Sequence, residues 1–94
     1  MAIPKITVDV EMLDGNTYED LRVIGADLIK HADVAKRHKW GSIEDDPMRA
    51  QFFLGYAAMT RTGNYDRNKG FDEFIEDVAM VAGDFGDDAV DPTK

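Results

Sequence analysis

Between Pro47 and Thr62 the chain carries so much apolar surface that a helix formed there cannot lie on the outside of a protein. Met48, Phe52, Phe53, Leu54, Tyr56, Ala57, Ala58 and Met59 leave little polar circumference, and a helix of that kind is packed on more than one side. Its start is encoded locally. Asp46 is a good N-cap, because its carboxylate can accept from first-turn N–H groups, and Pro47 falls at the first helical position, where a missing N–H costs nothing. Gly63 supplies the stop. The other elements must wrap this helix, and 94 residues suffice for one small domain, assigned to residues 1–83.

Those other elements read as follows. In residues 5 to 13, Ile6, Val8, Val10 and Met12 alternate with Thr7, Asp9 and Glu11, the period of a half-buried strand. Asp14-Gly15 then favours a tight turn. Residues 17 to 24 are assigned to the returning strand, with a helix opened by Thr17 and Asp20 as the alternative. A first helix is expected over about 26 to 39. Asp27 lies in its first turn and Lys36, Arg37 and Lys39 in its last, matching the macrodipole. Leu28, Ile29, Ala32, Ala35 and Trp40 are expected on its inner side, and Gly41 is expected to end it. A last helix is expected over 71 to 82, where Phe71, Phe74, Ile75, Val78, Val81 and Ala82 form an i, i+3, i+4, i+7 stripe. The fold class is therefore α+β and mainly helical: an N-terminal β-hairpin followed by about three helices, with an all-helical arrangement as runner-up.

Charge is distributed unevenly over this plan. Residues 1 to 70 carry eleven acids and ten bases, whereas Phe71 to Lys94 carry eight acids and one base. Residues 84–94 are acidic and poor in core residues, and are expected to form a flexible tail. The net charge of −8 repels phosphate backbones, so nucleic acid is not an expected partner. No apolar run reaches the roughly 20 residues that cross a bilayer, so no membrane role is expected. The absence of cysteine excludes disulfides and thiolate metal sites. Nothing near Met1 resembles a signal peptide, and a soluble cytoplasmic protein is expected.

Motifs for chemistry do not assemble. His31 and His38 are seven residues apart, about 10 Å along a helix axis, too far for one metal; both read as surface or boundary residues. Asp66 to Phe74 invites a calcium-loop reading, but from Asp66 the fifth and sixth positions are Gly70 and Phe71, and from Asn64 the glycine position holds Lys69. Asp84-Phe85-Gly86 stands without any other kinase feature. Arg49 and Arg61 are expected on the surface, Arg61 favourably placed near a helix C-terminus. The basic cluster Lys36-Arg37-His38-Lys39-Trp40 either satisfies its own helix dipole or meets a nucleic acid or an acidic protein, the acidic tail of a neighbouring copy being the best such alternative. Trp40, Phe52, Phe53 and Tyr56 read as core, with a groove for a partner helix or peptide as the alternative. No catalytic, cofactor-binding or metal-binding residue is assigned.

The order of these elements resembles a family. A Val/Ile-rich hairpin (Ile6-Thr7-Val8 to Asp14-Gly15 to Leu21-Arg22-Val23) precedes Ala26-Asp27-Leu28-Ile29-Lys30-His31. Arg37-His38-Lys39-Trp40 follows, and then the acidic loop Glu44-Asp45-Asp46-Pro47. An aromatic helix ends in Ala57-Ala58-Met59-Thr60-Arg61-Thr62-Gly63, and Phe71-Asp72-Glu73-Phe74 opens the last helix. Over about residues 5 to 82 this is similar to the tail assembly chaperones of long-tailed actinobacteriophages. The resemblance implies a non-enzymatic protein of the infected host cytoplasm, absent from the mature virion. It implies binding to the tape measure protein, which such chaperones keep soluble, and recruitment of tail tube protein. A programmed frameshift near the end of the short form often yields a longer product in that family. Self-association is expected, because many copies would have to coat one tape measure chain. Phe52, Phe53, Tyr56, Phe71, Phe74 and Ile75 are the residues expected to face the partner or build the core. Two competing readings are an acidic DNA mimic that inhibits a host nuclease and a small virion or connector protein.

Overall fold

The computed structural model describes residues 6–84. In chain order it forms β1 (Ile6–Met12), β2 (Thr17–Val23), α1 (Gly25–His38), α2 (Pro47–Arg61), α3 (Phe71–Asp77) and β3 (Val78–Asp84). The fold is mixed α+β, with a three-stranded antiparallel sheet in the order β2-β1-β3. The hairpin expectation holds, including the strand assignment for residues 17 to 23. Beyond Asp84, the segment expected to be an acidic tail lies outside the described residues.

The last helix is where sequence and structure part. It stops at Asp77, and Val78 already has extended backbone (φ −94°, ψ 141°). Residues 78 to 84, expected as the rest of a helix and the first tail residue, instead pair with β1, from Met12 opposite Val78 to Thr7 opposite Asp84. The cause is not local. With only β2 beside it, β1 would bury Val8, Val10 and Met12 while leaving one edge of its backbone unpaired, and a buried N–H or C=O without a partner is costly. The uncharged run Val78-Ala79-Met80-Val81-Ala82-Gly83 supplies the missing strand. Ala79 is the extra residue of a bulge that brings both Val78 and Val81 inward. A second bulge lies in β2, where Asp20 adopts φ 58° and its N–H donates to Asp9 Oδ1 at 2.8 Å.

One face of the sheet carries Val8, Val10, Met12, Val23, Val78 and Val81 into a core shared with Leu54, Ala58, Met59 and Phe74. The other face carries the exposed Asp9, Glu11 and Met80. α2 lies across the covered face and touches every other element, the central position its composition requires. Asp46 caps it by accepting from the Arg49 N–H at 3.2 Å, and Gly63 follows its end at φ 83°.

The inner side of α1 differs from expectation. Asp27, His31 and Ala35 are buried, whereas Ile29 and Ala32 face solvent. Nor does Gly41 end this helix; Lys39 takes the left-handed position (φ 58°) and its N–H donates to the Ala35 carbonyl. Asp27 has a long-range partner. Its carboxylate accepts from Arg61 Nη2 at 3.1 Å and from Nε at 3.2 Å, and from the Ile24 N–H at 3.1 Å. Arg61 Nη2 also donates to the Arg22 carbonyl at 2.6 Å. Arg61 is thus no free surface cation; it ties the end of α2 to β2 and to the start of α1.

Candidate functional site

The site begins with a ladder of aromatic rings that α2 threads through the molecule. Phe53 and Phe71 meet edge to face at 5.2 Å between centroids, Tyr56 lies 5.8 Å from Phe71 and 5.5 Å from Phe74, and Tyr65 lies 5.2 Å from Phe74. At the other end Trp40 contacts Phe53 (5.9 Å) and Phe71 (5.6 Å). His38 stacks on Trp40 at 5.3 Å, and the Arg49 guanidinium also lies 5.3 Å from that ring, a cation–π contact. The chain reaches Trp40 and returns to α2 through a tight loop. There Asp45 Oδ2 accepts from the Ser42 N–H (3.0 Å) and hydroxyl (3.1 Å), and these bonds hold the Asp45 carboxyl below the usual carboxylate range. Gly41 (φ 89°) is required there, since a Cβ would stand 2.9 Å from that of Asp45.

Where the ladder reaches the surface it floors an open groove of about 1130 Å³ between the C-terminal end of α1, the first half of α2, and α3. Val34, Trp40, Met48, Phe52, Phe71 and Ile75 provide its apolar lining. Met48 and Ile75 are 62% and 43% exposed, so the groove presents real apolar area to solvent. Its charged rim is uneven: α3 contributes Asp72, Glu73 and Glu76, and the start of α2 contributes Asp46 and Arg49, which pair with each other at 3.6 Å.

The six residues singled out by sequence divide accordingly. Phe52, Phe71 and Ile75 line the groove. Phe53 and Phe74 are buried in the core. Tyr56 is half-buried behind Phe71, its hydroxyl donating to the Lys69 carbonyl at 2.7 Å, and burial pushes its phenol pKa up. Met48, Val34 and Arg49 also line the groove although sequence reasoning did not place them there. Met48 is one turn before Phe52, and that spacing was the available signal.

Of two further polar groups, one is buried and the other half-buried. His31, expected near the surface, is 4% exposed beside Phe53 (5.7 Å) and Trp40 (6.3 Å), and burial lowers its pKa. At the opposite end of the aromatic ladder the Tyr65 hydroxyl donates to Asp77 Oδ2 at 2.7 Å, with Lys69 Nζ 3.7 Å from the same carboxylate. Burial first, and then the bond to Asp77, raises the Tyr65 pKa.

Among the described residues no group of three or more His, Asp or Glu side chains is placed to hold a metal ion, and no helix is long and apolar enough to cross a membrane. In comparisons with known proteins, no family model, curated protein or solved structure matches the chain.

Proposed function

We propose that this protein is a non-enzymatic assembly chaperone of the phage-tail kind, which holds an amphipathic helical segment of a tape measure protein in the groove between α1, α2 and α3. The observation that carries the reading is the solvent-exposed apolar strip made by Met48, Phe52, Phe71 and Ile75 on a floor fixed from beneath by Phe53 and Phe74. Helix-in-groove recognition needs such a strip, with anchors spaced for one helical face. A protein that keeps apolar area open must remain soluble while doing so, and a net charge of −8 serves that end. Work in the host cytoplasm, recruitment of tail tube protein and self-association belong to the same reading. A DNA mimic is less well supported, because an apolar groove between the acids has no counterpart in a phosphate backbone.

The test is co-expression with the tape measure protein of the source phage. The tape measure chain should move to the soluble fraction with the wild-type protein and stay insoluble with Met48→Asp/Ile75→Asp. That variant should melt near the wild-type temperature, since both side chains are exposed. Equal rescue by wild type and variant would sink the groove as the binding site. No rescue by wild type would sink the chaperone reading.

A further inference from the structure

Resting on the groove as the partner site, we infer that it selects for charge as well as for apolar surface: its occupant is a helix whose apolar stripe is flanked by Lys or Arg on the side that meets α3. The basis is the uneven rim. α3 is seven residues long, about 10 Å, and places Asp72, Glu73 and Glu76 on the groove. Among the described residues the ion pairs are Arg49–Asp46, Arg61–Asp27 and Lys69–Asp77; none of them involves the three rim acids. Asp72 and Glu76 are four apart on one helix face, where like charges repel. Glu73 does no more than accept the Gly70 N–H at 3.2 Å. Among the described residues α3 thus keeps a row of carboxylates without an ion-pair partner beside Phe71 and Ile75.

A helix laid on that apolar strip removes water from the neighbourhood of those carboxylates. With acidic or neutral flanks it leaves them less solvated and unpaired, which is unfavourable; with basic flanks it pairs them in a medium where the attraction exceeds its value in open water. The opposite wall, made by Val34, Trp40 and Met48 with His38, makes no such demand. The asymmetry therefore fixes the rotation of the bound helix about its own axis. It also bears on which segments of a long helical partner are taken: those with Lys or Arg bordering the stripe. The chain's own C-terminal segment, with Asp87, Asp88 and Asp91 against Lys94, has the wrong sign.

Two synthetic amphipathic peptides that share one Leu/Ile stripe, one flanked by Lys and the other by Glu, test this against the full-length protein. Binding can be followed by calorimetry and by the fluorescence of Trp40, the sole tryptophan. The Lys-flanked peptide should bind at least tenfold more tightly, with an advantage that shrinks as salt is raised. Asp72→Asn/Glu73→Gln/Glu76→Gln should abolish the preference. Glu11→Gln/Glu19→Gln/Asp20→Asn, an equal change of net charge on β1 and β2, should leave it intact. If both triple variants weaken binding alike, attraction is to net charge and the inference falls. Equal affinity for the two peptides overturns the inference while the groove reading survives. Binding of neither peptide, or binding indifferent to Ile75→Asp, overturns both. Concentration-dependent self-association that the α3 variant abolishes would make a second copy the occupant, and would also overturn the inference.

Discussion

Gly55 and Val81 touch with no side chain between them: a methyl group on the glycine would stand 3.0 Å from Val81 Cγ1 and 3.1 Å from Cγ2. This contact lets the middle of α2 settle directly on β3, while Gln51, one turn earlier, donates from Nε2 to the Val81 carbonyl at 2.5 Å. Gly55→Ala gains helix propensity of up to about 1 kcal/mol but forces the helix off the strand, and overpacking costs about 1–3 kcal/mol. The expected net effect is a loss of about 1 kcal/mol for Ala and a much larger loss for Leu, read from urea midpoints. A stabilised Gly55→Ala would show that β3 yields freely.

The Asp27–Arg61 pair spans 34 residues, with Asp27 only 3% exposed. Arg61→Ala leaves that carboxylate buried with the Ile24 N–H as its remaining protein partner. A loss of about 2–4 kcal/mol is expected, toward the lower end because Arg61 itself is partly solvated. Arg61→Lys should recover only part of this, since an ammonium cannot reproduce the paired donors. Equal stability of Ala and wild type would assign the pair no structural weight.

Truncations of Phe53, Phe74 and Ile75 should separate core from groove. Phe53→Ala and Phe74→Ala should each cost about 3–5 kcal/mol. Ile75→Ala should cost well under 1 kcal/mol while weakening helix binding. Thermal melts and peptide titrations on the same samples would check both halves.

Stability should fall at both ends of the pH scale. The folded pKa of His31 is lowered, so the unfolded chain binds the extra proton first, and stability declines as pH drops below about 6.5. Tyr65 and Tyr56 are raised in the folded state. The unfolded phenols therefore ionise first, and stability declines above about pH 10. In chemical denaturation across pH, His31→Gln should flatten the acid limb and Tyr65→Phe the alkaline one. Unchanged limbs would mean that other groups dominate them.

Periodicity and caps made the hairpin and α2 legible, because Val8, Val10 and Met12 alternate cleanly and Asp46-Pro47 marks a helix start. Residues 78 to 84 were not legible for a physical reason. Val78, Val81 and Ala82 continue a helical stripe and equally fit a short apolar strand, and the choice is made by the free edge of β1, some 70 residues away. One local sign favoured the strand: the expected helix had no basic residue in its last turn. The groove was partly legible. Phe52, Phe71 and Ile75 could be named, but Phe52 and Phe53 are neighbours on one helix, and which of them faces inward depends on where α1 and α3 dock. His31 read as a surface or boundary residue because its partner Phe53 is remote in the chain; Arg61 is exposed as expected, but its bond to Asp27 left no local sign for the same reason.

Since β1 and β3 pair across nearly the whole described length, the sheet closes by a slow, long-range step, with the loop entropy met before the contact is made. On the ribosome, β1, β2, α1 and α2 all emerge before the strand that completes them. Until residue 84 has been made, α2 is an apolar helix whose Gly55 can meet Val10 of β1 but not Val81, and the nascent chain itself exposes apolar surface of the kind that the proposed groove would shelter in a partner.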